Sequence, residues 1–146
     1  MKKGKFFVFE GIDGSGKSTQ SNLLTEALRK QGYKIEKIDF PQYGKASAGL
    51  IESYLKGFYG DSKEVGPYRA SIFYACDRYD LSFQIRRWLK EGKAVISDRY
   101  VVSNVGHQGG KLISNKSNWD KYVSWLHDLE YNIFEIPKPD YTFILK

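Results

Sequence analysis

Apolar residues recur along the chain in two alternating rhythms. Residues 5–10 (Lys-Phe-Phe-Val-Phe-Glu) form a short, nearly unbroken apolar run rich in aromatic and β-branched side chains, the pattern of a strand covered on both faces. Glycines at 11, 14 and 16 end it. Over 17–31 the spacing changes: Leu23, Leu24, Ala27 and Leu28 recur at helical intervals, and Gly32 stops the helix. Residues 34–40 predict a second strand ending at Pro41, and a helix is expected over 48–56 before the glycine-rich break 60–66. Pro67 suits the first position of a long helix, for which Ile72, Phe73, Cys76, Tyr79, Phe83 and Trp88 supply an apolar stripe up to Gly92. A third buried strand is expected over 93–97. A helix follows over 116–130, with Trp119, Tyr122, Val123 and Leu126 on one side, and a fourth strand over 141–145. Strands alternating with helices predict an α/β fold: a parallel sheet with right-handed crossovers in three layers.

Composition changes this picture in a few respects. At 146 residues the chain is the size of one domain, expected to span 1–146. Its single cysteine, Cys76, excludes a disulfide within the chain. No apolar run approaches roughly 18 residues, so no membrane partner is expected. The basic start Met1-Lys2-Lys3 lacks a cleavage site, which makes a cytoplasmic location the expectation. A net charge of +6 with 3 Trp, 11 Tyr and 9 Phe would suit a polynucleotide. The basic residues are dispersed, however, with no run beyond a pair such as Arg86-Arg87, so no nucleic acid is expected and small phosphorylated ligands fit the charge better.

The sharpest chemical signal is Gly11-Ile12-Asp13-Gly14-Ser15-Gly16-Lys17-Ser18, which matches G-x-x-x-x-G-K-[ST] between a predicted strand and a predicted helix. Glycines let successive N–H groups curl around an anion, and the helix N-terminus adds partial positive charge. Lys17 brings a full charge to the β/γ-phosphates, and the Ser18 hydroxyl is placed for Mg²⁺. The loop therefore predicts nucleoside triphosphate binding but not the fate of the γ-phosphate. No Asn-Lys-x-Asp segment for reading guanine occurs, which disfavours a GTPase switch.

Ligands of open α/β sheets sit beyond the carboxyl ends of the strands, where Asp13, Asp39-Phe40-Pro41 and Asp98-Arg99-Tyr100 emerge. An acid ending a buried strand beside the loop is a magnesium partner, and an arginine next to it suits a forked contact with a second phosphate. Tyr74 and Arg78 are four apart and share a helix face. A ring and a guanidinium there could take a base and a phosphate. Core packing for Tyr74 and a solvated Asp77–Arg78 pair are equally open from pattern alone.

Taken together these segments resemble the thymidylate kinase family along essentially the whole chain. The resemblance is carried by 9–19 (Phe-Glu-Gly-Ile-Asp-Gly-Ser-Gly-Lys-Ser-Thr), Asp39-Phe40-Pro41, Tyr74-Ala75-Cys76-Asp77-Arg78, 98–109 (Asp-Arg-Tyr-Val-Val-Ser-Asn-Val-Gly-His-Gln-Gly) and Pro137-Lys138-Pro139-Asp140. It implies a P-loop kinase fold that phosphorylates dTMP with ATP. Gly11 to Thr19 would hold ATP, with Mg²⁺ on Ser18 and Asp98. Asp13 would contact the sugar hydroxyl or the metal shell, and Asp98 would act near the attacking phosphate oxygen. Phe40 would lie on the dTMP side, Tyr74 would stack on thymine and Arg78 would reach the base. Arg99 would hold the dTMP phosphate, while Asn104 and Gln108 would read the base edge. Lys17, Asp98, Arg99 and Asp13 form the implied catalytic set.

The resemblance also implies a homodimer built on the long helix 67–92. Family members continue into a lid, a further helix and a fifth strand, so the chain is expected to stop short of these at Lys146. It departs from the pattern at Gly14, where one branch has arginine, at Gln42-Tyr43, where a basic residue is common, and at His107, where an aromatic is usual. The rival expectations are a kinase for another nucleoside monophosphate or a nucleoside, and a nucleotide-binding fragment with little turnover.

Overall fold

A computed structural model describes residues 3–146; Met1 and Lys2 of the basic start lie outside the described residues. Strand β1 (Phe6–Gly11) is buried almost throughout, as its aromatic run requires. It pairs in parallel with β3 (Ala94–Asp98) on one side and β4 (Tyr141–Leu145) on the other, and β2 (Ile35–Asp39) extends the sheet beyond β3. The order among the described residues is β2-β3-β1-β4. The α/β expectation with a parallel sheet holds, each strand starting or ending within a residue of its predicted bounds.

The chain packs as two compact units, each assembled from separate segments. The first comprises 1–40, 81–100 and 137–146 and holds the sheet. Helix α1 (Lys17–Lys30) presents Leu24 and Leu28 to a core of Phe7, Phe9, Ala94 and Ile96, to which Tyr33, Ile35 and Leu145 add. Tyr141 stacks on Phe7 with ring centroids 5.4 Å apart, and Phe143 on Phe9 at 5.0 Å. Asp140 ties β4 to the start of β1, its carboxylate accepting the Phe6 N–H at 2.8 Å. The strand register places Phe9 opposite Asp98 and Asp39 opposite Asp98, so the carboxyl ends of β1, β2 and β3 finish at one edge of the sheet.

The second unit comprises 41–80 and 101–136 and is helical. A 3₁₀ turn (Ala46–Ala48) leads into α2 (Gly49–Leu55), and α3 (Ser62–Lys90) begins in this unit and ends in the first. Gly66 interrupts α3 with φ 78° and ψ 163°, so Pro67 opens the main helix as its missing N–H predicts. Tyr54, Val65 and Ala70 pack together with Phe73 and Tyr74. Helix α4 (Val101–His107), a 3₁₀ turn (Gly109–Leu112) and α5 (Lys116–His127) follow. The Asn115 side chain caps α5 by accepting the Asn118 N–H at 3.0 Å.

Two expectations change, and one helix is added. The apolar stripe of α3 is not its buried face: Ile72, Tyr79 and Phe83 are 40%, 39% and 58% exposed. The face that is buried carries Ser71, Ala75, Arg78, Ser82, Ile85 and Leu89, spaced four and three apart throughout. A hydropathy pattern cannot find a face on which half the positions are polar. The helix expected over 116–130 ends at His127 and widens into π-type turns over Asp128–Ile133. Helix α4 has no counterpart in the pattern, because Val101, Val102 and Val105 are poor helix formers; of the three only Val101 is buried.

Ile96 is 1% exposed at the centre of the first unit's core. Ile96→Ala should lower unfolding free energy by about 2–5 kcal/mol in chemical denaturation. A change below about 1 kcal/mol would show that the site collapses around the deletion and does not anchor the core.

Candidate active site

The loop between β1 and α1 is shaped by positive φ angles that only glycine adopts without strain. Gly14 and Gly16 stand at φ 80° and 92°, and Gly16 is the N-cap of α1. At Gly11 a Cβ would lie 2.7 Å from the Leu145 carbonyl oxygen and 2.8 Å from Ser15 Oγ, so the close passage of β4 also demands glycine there. Lys17 is 8% exposed, and its Nζ turns back to donate to the Gly11 carbonyl at 2.9 Å. Ser15 Oγ is buried without a hydrogen-bond partner. Ile12, Asp13, Gly14, Ser18 and Thr19 are exposed.

Asp98 ends β3 beside this loop. Its Oδ1 lies 3.4 Å from Lys17 Nζ, close enough for charge attraction, yet is buried without a hydrogen bond. Arg99 follows at φ 67°, a left-handed conformation that is strained for a side chain of its size. The surroundings impose it. Arg99 N–H donates to the Phe9 carbonyl at 2.9 Å, Ser97 Oγ donates to the Arg99 carbonyl at 2.6 Å, and Tyr100 N–H donates to the buried Glu10 carboxylate. The Arg99 guanidinium reaches Asp13, with Nη2 3.0 Å from Oδ1. Asp13 also lies 3.9 Å from Lys17 Nζ, so all four residues of the implied catalytic set belong to one charge cluster. Phe40 is buried in the same unit with its ring 5.7 Å from that of Tyr100, and its N–H donates to the Asp98 carbonyl at 3.1 Å.

The second unit assembles the other implied residues. Arg78 is 2% exposed and Glu130, on the π-type turns, is fully buried; the Arg78 Nε donates to both carboxylate oxygens at 2.9 and 2.8 Å, and Nη2 donates to Oε1. Asp77 does not form a solvated pair with Arg78. Its carboxylate accepts the Gln42 N–H at 2.9 Å, Gln42 Nε2 at 3.0 Å and Ser47 Oγ at 2.6 Å. Gln42, which replaces a basic residue of the resembled pattern, thus has a structural partner. Tyr122 OH sits 2.8 Å from Ser71 Oγ and donates to the Asn104 carbonyl at 3.1 Å. Asn104 and Gln108 are buried, 3% and 5% exposed. Burial pushes the Tyr74 phenol up to about 12, reinforced by Tyr43 and Tyr54 against Arg78. Burial likewise drives Tyr122 up to about 12, against its Ser71 hydrogen bond and Arg78. Burial and then Glu130 raise the Cys76 thiol, which keeps it protonated and a poor nucleophile.

Residues 9–146 match the sequence model of a family described as thymidylate kinase. The chain belongs to the thymidylate kinase family. It is 34% identical over 144 residues to the thymidylate kinase of Plasmodium falciparum, covering 99% of this chain and 62% of that protein. It is 31% identical over 137 residues to the Mycobacterium tuberculosis enzyme (93% and 63% covered) and 29% over 145 residues to the human one (99% and 62%). Among solved structures, the thymidylate kinase of Candida albicans superposes with a TM-score of 0.76 at 28% identity over 99% of this chain and 63% of that one. The Ehrlichia chaffeensis enzyme gives 0.70 at 30% identity, over 99% and 75%. The chain thus spans less than two thirds of the length of the curated thymidylate kinases above. These likenesses establish the P-loop α/β kinase fold.

Within that thymidylate kinase frame, sequence motifs reach Lys17, Asp98, Arg99 and Asp13, which the structure gathers. They miss Glu130 and Lys111, which have no motif of their own. The only advance signal for Glu130 is a carboxylate at helical spacing among apolar residues, which pattern reading treats as a solvated side. Since the Tyr74 and Tyr122 phenols stay protonated in the folded protein above their ordinary value of 10.0, the unfolded chain loses protons first as pH rises. Stability contributed by these two groups should be present below pH 10.0 and decline towards about pH 12. Urea unfolding against pH checks this, and Tyr122→Phe should remove part of the decline; an identical alkaline slope in the variant would contradict it.

Proposed function

We propose that this protein phosphorylates dTMP to dTDP by in-line transfer of the ATP γ-phosphoryl group. The observation that carries the reading is the cluster of Lys17, Asp98, Arg99 and Asp13 at the mouth of a glycine loop bent for anions. No covalent intermediate is required, so catalysis consists of positioning and of stabilising spread negative charge. Loop amides from Gly11 to Thr19 hold the ATP phosphates, and Lys17 exchanges the Gly11 carbonyl for a phosphate oxygen. Arg99 holds the dTMP phosphate: its partner Asp13 is 99% exposed, and a carboxylate so well solvated yields readily to a bidentate phosphate contact. Asp98 acts next to the attacking oxygen.

Ser18 and Asp98 are hard oxygen donors, and the buried Asp98 Oδ1 without a hydrogen bond suits a cation or its water, so these residues would hold Mg²⁺, which supplies charge neutralisation of the phosphates. A magnesium–nucleotide site ordinarily relies on few carboxylates together with the substrate phosphates, not on a dedicated cage. Among the described residues no group of three or more His, Cys, Asp or Glu gathers as such a cage.

On the acceptor side Tyr74, protonated up to about pH 12, offers a neutral ring for stacking on the base. Arg78, fixed by Glu130, offers a guanidinium that cannot swing, and Asn104 and Gln108 offer buried amides. Phe40 supports Tyr100 and through it the backbone that carries Arg99. A homodimer through the long helix 67–92 belongs to the same reading. It is supported by the exposed Tyr68, Ile72, Tyr79 and Phe83 on that helix, an apolar surface unusual for a free protein. No helix among the described residues is long and apolar enough to cross a membrane, and a cytoplasmic setting goes with the substrates.

ADP release with dTMP as acceptor, compared with dUMP, UMP, AMP and thymidine, tests the reading; preference for any acceptor but dTMP would overturn it. Lys17→Ala should cost about 10²–10³ in turnover with an unchanged circular dichroism spectrum, and near-normal activity would remove the loop from the mechanism. Arg99→Ala should raise the dTMP KM and lower kcat together, by about tenfold or more; an unchanged rate would place Arg99 outside the reaction. Phe83→Asp should shift the sedimentation of the protein from dimer to monomer, and a monomeric parent would rule out the dimer.

A further inference from the structure

Asn104 and Gln108, two of the buried amides of the second unit, have orientations that their neighbours force. Asn104 Nδ2 donates to the Ser71 carbonyl at 3.3 Å. A backbone carbonyl only accepts, so the amide atom facing it has to be the nitrogen, and Oδ1 is left over as an acceptor. Gln108 Oε1 accepts from Lys111 Nζ at 2.8 Å. An ammonium only donates, so the atom facing it has to be the oxygen, and Nε2 is left over as a donor. Neither leftover atom has a hydrogen-bond partner among the described residues, although both side chains are more than nine-tenths buried. The two residues are four apart, Asn104 within α4 and Gln108 just beyond its end, and so share a face.

Lys111 is itself held. Its ammonium contacts Tyr54 OH at 3.3 Å and the Ser62 carbonyl at 3.4 Å, and lies 5.9 Å from the centroid of the Tyr54 ring. With Gln108 these acceptors use the three donors of the ammonium.

We propose that Lys111 is a positioning residue that sets the hydrogen-bond polarity of base recognition. By holding Gln108 Oε1 it leaves this face presenting one acceptor, Asn104 Oδ1, and one donor, Gln108 Nε2. That pair complements a pyrimidine with a ring N–H beside a carbonyl, as in thymine or uracil. Cytosine presents the reverse, an unprotonated ring nitrogen beside an amino group, and meets acceptor with acceptor and donor with donor. The arrangement does not register the thymine methyl. Without Lys111 the Gln108 amide is free to turn over, and the donor is no longer guaranteed. This inference rests on the acceptor reading given above.

Calorimetric titration of dTMP and dCMP into the wild-type protein, Lys111→Met and Lys111→Arg tests it, with a non-hydrolysable ATP analogue as a control on the first unit. Lys111→Met should weaken dTMP about three- to tenfold, leave dCMP no weaker, and so shrink the dTMP/dCMP ratio; Lys111→Arg should restore the ratio. ATP-analogue affinity should be the same in all three proteins. A wild-type ratio in Lys111→Met overturns the assignment, and so do equal losses for dTMP and dCMP, which would mean general structural support. A wild-type protein that binds the ATP analogue but no dTMP overturns the acceptor reading itself, an outcome distinct from failure in the variant alone.

Discussion

The chemistry of the first unit depends on one constraint, the parallel register of β1 against β3. Phe9 stands opposite Asp98, so the glycine loop leaving β1 and the Asp98-Arg99 corner leaving β3 emerge side by side. Because strand side chains alternate faces, a slip by one residue would turn Asp98 away from Lys17 and send Ser97 in its place. The register is held by what both strands bury, Phe7 and Phe9 against Ala94 and Ile96, and by the clamp beyond it, where Arg99 and Tyr100 bond back to Phe9 and Glu10. The left-handed backbone at Arg99 persists because these contacts over-determine it.

The second unit depends on a different device. The part of α3 within it buries Ser71, Ala75 and Arg78, and Arg78 meets Glu130 with almost no exposure. Desolvating two charges is costly, and a pair of this kind contributes little net stability compared with well-packed apolar residues. What it does supply is geometry: two nitrogens of the guanidinium are held by both oxygens of one carboxylate. Asp77, Ser71, Tyr122 and Asn104 are tied down in the same way. A loss of either charge would leave the other buried and unpaired, which makes the pair more demanding than its net contribution indicates.

These two devices differ in how visible they are in the chain. The first leaves local marks: the glycine spacing, the Lys-Ser at its end, and an acid-arginine step after a β-branched run. Each is a short-range requirement of backbone shape or charge, and so is written in consecutive residues. The second leaves almost none. Ser71, Arg78 and Ser82 lie on the buried face of α3 although none of them belongs to its apolar stripe, whereas Ile72, Tyr79 and Phe83 of that stripe are exposed. Hydropathy assumes that burial is driven by apolar transfer; here hydrogen bonds and an ion pair from remote segments make polar burial tolerable.

From its residues alone the chain determined strand and helix alternation, the phosphate loop and its lysine, and the family to which it belongs, because these follow from periodicity and from contiguous motifs. Only the tertiary structure decided which face of α3 is buried, that Glu130 and not solvent neutralises Arg78, and which way the Asn104 and Gln108 amides point. Those outcomes turn on partners 52, 33 and 3 residues away. Even the nearest, Lys111, acts through side-chain geometry that spacing does not specify, and a hydrogen bond has a direction only once both of its ends are in place.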